Sequence, residues 1–166
     1  DGNSEILMAT RGGLAIHFAE TDVRDMGRPA HGVRGINLNL KDEVVAMDTI
    51  TDPGTEVLTI TENGMAKRTK LEEYTQQTRG GKGRINYNLT DKTGEVVGMS
   101  IVHPEDELYI ITASGIIMVT GVSDISQIGR NTQGVKAISL NEGDKVTGIA
   151  TVEPEDNLVH EPESEA

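Results

Sequence analysis

The chain has 166 residues, a length that fits one ordinary domain, and it contains no run approaching the roughly 18 apolar residues of a membrane helix. It contains no cysteine, which excludes disulfides and thiolate metal sites and fits a cytoplasmic setting. Three tyrosines and one phenylalanine leave few platforms for stacking unpaired bases, so a binder of single-stranded nucleic acid is not expected.

The net charge of −12 is spread unevenly along the chain. Residues 153–166 contain six acidic residues and no Lys or Arg, so half of the excess negative charge lies in this stretch. Its composition predicts an acidic, disordered tail after a folded region that spans residues 1–152. Residues 56–102, in contrast, carry seven basic and six acidic residues, so the overall acidity does not describe every face.

A threefold repeat with a period near 50 residues organises the folded region. Apolar stretches that begin with Glu recur at intervals of 51 residues, and a turn glycine follows each at the same interval. A period of this length is typical of propellers and solenoids. It predicts three units, over residues 4–54, 55–104 and 105–153. The stretches are Glu5–Thr10, Glu56–Thr61 and Glu107–Thr112, and the glycines are Gly13, Gly64 and Gly115.

Each unit is predicted to contain four short strands. The first two form a hairpin, most clearly at Asn63-Gly64, because Asn-Gly favours tight hairpin turns. The third alternates apolar and polar residues, as in Ile36–Leu40 and Ile85–Leu89, which is the pattern of a half-buried strand. The fourth is more continuously apolar, and no segment shows helical periodicity. The fourth strands are predicted at Val44–Ile50, Val96–Val102 and Val146–Val152.

These units predict an all-β fold, a propeller-like array of four-stranded blades. Three blades make only a partial ring, and an open stack exposes a large apolar face at each end. We therefore expect the array to continue into further blades or to pair with a second copy.

The candidate binding site is a glycine-rich basic loop in the second unit, Gln77–Arg84, with three cations and three glycines. Glycines let backbone N–H groups approach a partner closely, and Arg and Lys supply positive charge. An anionic partner such as a DNA backbone fits both features. Taken alone, the loop is equally well interpreted as a turn that its charges keep hydrated.

Basic residues occupy the same place in the other two units. The first unit carries Arg28 and Arg34, and the third carries Arg130 and Lys136. Equivalent loops of equivalent blades lie at the same radius and height, so these cations are expected to form an arc along an outer rim. Such an arc is suited to a bent DNA duplex.

The chain resembles the carboxy-terminal domain of the DNA gyrase A subunit over about residues 4–153. Gln77–Gly83 is similar to that family's box of glutamine, two basic residues, two glycines, a basic residue and a glycine, with Thr78 replacing one basic residue. The stretches around Gly27-Arg28 and Gly129-Arg130 are also similar to family blades. The resemblance implies a β-pinwheel, a six-bladed ring that wraps duplex DNA along its outer edge.

The resemblance also implies partners and a binding surface. The wrap enables negative supercoiling by a holoenzyme of two A and two B subunits in the bacterial cytoplasm, close to the nucleoid. ATP and Mg are used on other domains, and no cofactor is expected in this segment. The implied partners are double-stranded DNA, the rest of the gyrase A subunit, which carries this domain, and the gyrase B subunit. The predicted DNA-binding residues are Gln77, Arg79, Gly80, Gly81, Lys82, Gly83, Arg84, Lys67, Arg68, Lys70, Arg28, Arg34, Arg130 and Lys136.

Two features depart from the family pattern. The principal box lies in the first blade in the family but in the middle unit here, so the chain looks most like the last three blades. Thr78 also removes a basic residue from the box. The corresponding domain of topoisomerase IV, which has a degenerate box, stays open as an alternative. A propeller-like module that grips an acidic protein is a second alternative.

No catalytic residue and no metal site are predicted in this segment. No nucleophile with a base partner can be named. The four histidines, His17, His31, His103 and His160, lack the spacing of metal ligands.

Overall fold

The computed structural model describes residues 2–52 and 54–154 and confirms the all-β fold class. The predicted tail falls outside the described residues from position 155 onward. Three 3₁₀ turns follow the hairpins, at Glu20–Asp22, Leu71–Glu73 and Val122–Asp124. The strands are β1 (Glu5–Thr10), β2 (Leu14–Ala19), β3 (Val44–Ile50), β4 (Glu56–Thr61), β5 (Met65–Lys70), β6 (Arg84–Ile85), β7 (Val96–Val102), β8 (Glu107–Thr112), β9 (Ile117–Gly121), β10 (Val135–Lys136) and β11 (Val146–Val152).

Each repeat builds the body of one antiparallel sheet from its hairpin and its fourth strand. The strand orders are β3-β1-β2-β6, β10-β5-β4-β7 and β11-β8-β9. The hairpins and the three fourth strands lie where the sequence pattern predicts them. In every sheet the first strand of the repeat is central, with the second strand on one side and the fourth on the other.

The prediction for the third strand is wrong in both length and position. β6 and β10 have two residues each, and residues 36–40 form no strand. The alternation in Ile85–Leu89 does not mark a half-buried strand, because the neighbours Asn86 and Tyr87 are both buried. Instead, the backbone N–H groups of Asn86 and Tyr87 both donate to the carbonyl of Gly13 in the preceding repeat.

The short strands are donated to the preceding sheet. Ile85 lies opposite Leu14 on β2, and Lys136 lies opposite Met65 on β5. A glycine with positive φ precedes each donated strand, Gly83 at 77° and Gly134 at 72°. The fourth strands of neighbouring sheets pack on one another, so we call this side the inner edge. The opposite, outer edge of the first two sheets is formed by a strand from the next repeat.

The sheets pack face to face, and apolar side chains fill the two joints. The first joint is built around Leu7 and Val57, and the second around Leu58 and Leu108, all fully buried. Within residues 2–52 and 54–154, no further sheet packs on the outward face of the third sheet: Ile117 is 62% exposed and Val119 is 50% exposed.

Strand donation predicts unequal effects of alanine at two equivalent glycines. Gly32 and Gly83 both have positive φ, so Ala at either costs about 1–2 kcal/mol of backbone strain. A Cβ on Gly83 lies 2.5 Å from the Ala15 carbonyl oxygen, whereas a Cβ on Gly32 meets nothing within 4 Å. Gly83→Ala is therefore expected to lower the free energy of unfolding by roughly 1–3 kcal/mol more than Gly32→Ala. Urea unfolding of both variants measures the difference, and equal losses would contradict the donated pairing.

Candidate nucleic-acid interface

The basic loop Gln77–Arg84, hereafter the box loop, runs along the outer edge of the first sheet. The backbone N–H of Gln77 donates to the carbonyl of His17 at 2.7 Å, and Arg84 pairs with Ala15 in the donated strand. Both ends of the loop are thus anchored to β2 by backbone hydrogen bonds. The loop is held outside the preceding blade because its own repeat donates the strand that follows it.

The corresponding loop of the first repeat, residues 27–37, lies directly beside the box loop. The Gly80 N–H donates to the Gly35 carbonyl at 2.5 Å, and the Asn37 N–H donates to the Gly81 carbonyl at 2.8 Å. The Arg79 guanidinium donates to the carbonyl of Arg34 at 3.0 Å. These contacts place the first two predicted basic loops side by side.

The loop of the third repeat, Gly129–Gly134, continues the same row. The Asn88 N–H donates to the Thr132 carbonyl at 3.0 Å, and the Arg130 guanidinium donates to the carbonyl of Ile85. An open depression of about 470 Å³ lies at this junction, and Lys82, Arg84, Arg130 and Asn131 are among the residues that line it. The predicted arc of basic loops is therefore continuous through the three repeats.

The predicted cations divide into those that face solvent and those that are used inside the protein. The exposed group carries positive charge that a partner can reach. Arg79 and Arg130 are half-buried. The Arg79 guanidinium donates to the carbonyls of Asp22 and Arg34, and the Arg130 guanidinium donates to the carbonyl of Ile85. The exposed cations are Arg28, Arg34, Lys70, Lys82, Arg84 and Lys136.

Arg68 joins the second and third blades. Its side chain is 12% exposed; one guanidinium nitrogen lies 2.5 Å from Glu56 in its own blade, and Nε donates to the Ile125 carbonyl at 2.7 Å. His17 is the equivalent residue of the first blade: Nε2 lies 2.7 Å from Glu5, and Nδ1 lies 2.6 Å from the Tyr74 carbonyl. The prediction that Arg68 contacts DNA does not fit these contacts, because the guanidinium is already hydrogen-bonded between the second and third blades.

Lys67 is fully buried, so its prediction as a surface DNA contact is wrong. Its ammonium lies within hydrogen-bonding distance of five oxygen atoms, and 4.5 Å from the centre of the Tyr87 ring. The oxygens are the carbonyls of Asn86, Gly129, Arg130 and Thr132 and the hydroxyl of Thr132. The strand pattern could have indicated that Lys67 and Arg68 do not share one exposed face, because successive residues of a strand point to opposite faces. In the structure both faces of β5 are covered, so Lys67 and Arg68 are both withdrawn from solvent.

Burial lowers the pKa of Lys67 to about 7, while the Glu73 carboxylate raises it and Arg130 lowers it further. Burial disfavours the charged form, and the ring of carbonyl oxygens favours it. Either protonation state keeps donors for these oxygens, three as ammonium and two as amine.

A slightly larger depression, of about 520 Å³, lies near the inner strands, and its charges are mixed. It is lined by Arg11 and Lys145 together with Glu43 and Glu62, so no single sign dominates. Among residues 2–52 and 54–154, no group of three or more His, Cys, Asp or Glu side chains is arranged to hold a metal ion. In the same residues, no helix has the length and apolarity to span a bilayer.

Comparison with known families decides the relationship. The family described as DNA gyrase C-terminal domain, beta-propeller, matches residues 4–51, 55–103 and 106–153. The chain belongs to this family. The three matched segments each contain the body of one sheet. The resemblance inferred from the box loop is thereby confirmed.

Among curated proteins, the DNA gyrase A subunit of Haloquadratum walsbyi is 43% identical over 152 residues, covering 91% of this chain and 18% of that protein. The DNA gyrase A subunit of Staphylococcus epidermidis is 41% identical over 157 residues, covering 94% of this chain and 18% of that protein. The gyrase-family segment described here thus spans about a fifth of the length of these relatives.

Two solved structures have the same fold as this gyrase-family segment. The C-terminal domain of DNA topoisomerase IV matches with a TM-score of 0.87 at 28% identity, over 92% of this chain and 48% of that chain. A DNA gyrase A C-terminal domain matches with a TM-score of 0.83 at 24% identity, over 90% of this chain and 50% of that chain. At 24% identity, the match to the gyrase domain shows only that the fold is shared. Both matched chains are about twice as long.

Arg68 and Lys70 are expected to differ in their effects on stability. Arg68→Met removes the cation beside the Glu56 carboxylate, which is 10% exposed and keeps only a hydrogen bond from the Gln127 amide; breaking a buried pair in this way costs about 3–5 kcal/mol. Lys70 is 58% exposed and 3.9 Å from Glu72, so Lys70→Met is expected to change stability by less than about 0.5 kcal/mol. Chemical denaturation of both variants tests this assignment, which fails if Arg68→Met is as mild as Lys70→Met.

Lys67 predicts a pH dependence of stability. Its pKa is about 7 in the folded protein and near the ordinary 10.5 in the unfolded chain. Between these pH values the unfolded chain binds the extra proton, so this group makes stability rise with pH, by at most about 1.4 kcal/mol per pH unit. Between pH 7 and pH 9, the free energy of unfolding is expected to rise more steeply in the wild type than in Lys67→Met. Parallel curves would contradict the lowered pKa.

Proposed function

We propose that this chain is a DNA-binding and DNA-wrapping segment of a gyrase-type A subunit, and that duplex DNA lies along its outer edge. The observation that supports this most directly is the row of three contacting basic loops on that edge. Five of the exposed cations, Arg28, Arg34, Lys82, Arg84 and Lys136, lie in or directly after these loops. Their charges are directed to solvent, whereas Lys67 and Arg68 are engaged in internal contacts. Arg130 is half-buried and donates to the Ile85 carbonyl, but it also lines the basic depression and adds to the positive charge there.

The proposed binding is electrostatic and largely independent of base sequence. Phosphate contacts from Lys and Arg fix the path of a duplex but carry no sequence information. Bending 20–30 base pairs smoothly costs on the order of 1–6 kcal/mol, which contacts distributed along the edge must offset. A rigid edge suits this task, because backbone hydrogen bonds hold each basic loop at a fixed position.

In the proposed assembly, the segment works with the rest of the gyrase A subunit, of which it is part, and with the gyrase B subunit. The assembly carries out ATP-dependent negative supercoiling in the cytoplasm. ATP and Mg belong to other parts of that enzyme, and this segment contributes bending and positioning. Support for this context comes from the family relationship and from the identity to two gyrase A subunits.

A topoisomerase IV type of domain is the second candidate. The match to that enzyme's C-terminal domain, with a TM-score of 0.87 at 28% identity, favours it as far as shape is concerned. The two candidates differ in whether the duplex is wrapped or only bound. A measured bend angle beside the affinity therefore separates them. The third alternative, a module that binds an acidic protein, predicts no duplex affinity.

Removing two exposed cations from the box loop is expected to weaken duplex binding and its salt dependence together. With about five cations engaged, the slope of log K against log salt is roughly −4 to −5. Lys82→Ala/Arg84→Ala should reduce the magnitude of that slope by about 2. Fluorescence anisotropy of a labelled duplex over a salt series measures the slope, and energy transfer between end labels measures the bend.

Lys92→Ala/Lys145→Ala is the matched control, because it removes the same charge from exposed positions in the connectors that lead to the inner strands β7 and β11. This pair is expected to leave the slope within about 0.5 of the wild type, since neither residue lies in a basic loop. If both double variants gave the same slope of log K against log salt, the outer edge would not be part of the DNA-binding surface.

A further inference from the structure

Lys67 is a fully buried basic residue at a position that is apolar in the other two repeats. The equivalent residues of the other blades are Ile16 in the first and Met118 in the third, and both are apolar. A buried lysine in a row of apolar residues carries a desolvation penalty unless oxygen atoms surround it. At Lys67 those oxygens come mainly from the next repeat.

Four of the five oxygens around Lys67 belong to one short turn, and the fifth is the carbonyl of Asn86 in its own repeat. The carbonyls of Gly129, Arg130 and Thr132 all point inward at its Nζ, and the Thr132 hydroxyl lies 3.3 Å from Nζ. The same hydroxyl lies 2.8 Å from the Gly129 carbonyl, and the Arg130 N–H donates to Glu73 at 2.9 Å. These contacts fix the backbone of residues 129–132.

The box loop is a useful comparison, because the residue beneath it in the first blade is Ile16 rather than a lysine. The box loop crosses the first blade over Ile16, so the side chain beneath the loop is apolar. The Ile16 Cδ1 atom lies 3.6 Å from the position that a Cβ on Gly81 would take. There the Gly81 carbonyl is satisfied by the Asn37 N–H from the neighbouring loop. The third-repeat loop turns its carbonyls toward the blade beneath it and needs a buried donor there.

Resting on the proposed DNA binding, we propose that Lys67 is a positioning residue for the interface: by holding the inward carbonyls of residues 129–132, it fixes Arg130 at the basic depression that Arg130 lines together with Arg84. Lys67 itself does not contact DNA. Its effect on affinity is transmitted entirely through the loop that carries Arg130.

A double-mutant cycle tests this role in the full chain, with a labelled duplex as the probe. Lys67→Met keeps the length of the side chain and removes its donors. It is expected to lower duplex affinity roughly three- to tenfold, about as much as Arg130→Ala. The variant with both changes should bind no more weakly than Arg130→Ala alone. Lys67→Arg, which keeps donors for the carbonyls, should restore part of the affinity.

Two controls separate positioning from general destabilisation. Ile110→Val trims a buried residue of the third blade's core and should lower the melting temperature without changing affinity at a temperature where the protein is folded. If Lys67→Met does not fold, Thr132→Val loosens the same turn while leaving the buried lysine in place. It should show the same non-additivity with Arg130→Ala.

Additive losses in the cycle would overturn the proposal, as would unchanged affinity in Lys67→Met together with a lowered melting temperature. Amide hydrogen exchange of residues 129–133 provides a readout that does not depend on DNA. Exchange that is no faster in Lys67→Met than in the wild type would also overturn the role. Failure of the proposed function is distinct, because the wild-type chain would then show no salt-dependent duplex affinity at all.

Discussion

The two-residue strand that the second and the third repeat each donate to the blade before them is the constraint on which the rest of this structure depends. β6 completes the outer edge of the first sheet, and β10 completes the outer edge of the second. The loop that precedes each donated strand must therefore lie along the outer edge of the neighbouring blade. Strand donation both ties the blades together and sets out the basic loops in a row, so stability and the proposed binding surface share one cause.

The joints between blades contain polar side chains as well as apolar contacts. His17 and Arg68 each connect a glutamate of their own blade to a carbonyl of the next, and Lys67 gathers carbonyls from the next loop. A buried charge is tolerated when oxygen atoms replace its water, and removing one partner is then costly. These contacts also fix the angle between blades, because the acceptor carbonyls lie in rigid turns. At the third blade the equivalent of His17 and Arg68 is Val119, half exposed on the uncovered face.

The division of cations between joints and rim explains how an acidic chain can present a row of exposed basic residues along its outer edge. Exposed charges interact over about 10 Å at moderate salt, so the sign of a local row matters more to a duplex than the net charge of −12. Arg68 and Lys67 add nothing to that row, although they sit beside it in the sequence. The exposed residues Lys82 and Arg84, next to Arg130, form its densest part.

The sequence by itself determined the repeat, the hairpins and the fourth strands, because these depend on local signals: turn glycines, Asn63-Gly64 and continuous apolar runs. It also identified the box loop and the family. Only the tertiary structure decided that the third strand belongs to the neighbouring blade, since an alternating pattern does not show which edge a strand will pair with. The same applies to Lys67 and Arg68: a charge in the sequence is exposed or buried according to what packs on it, and here the next repeat packs on both.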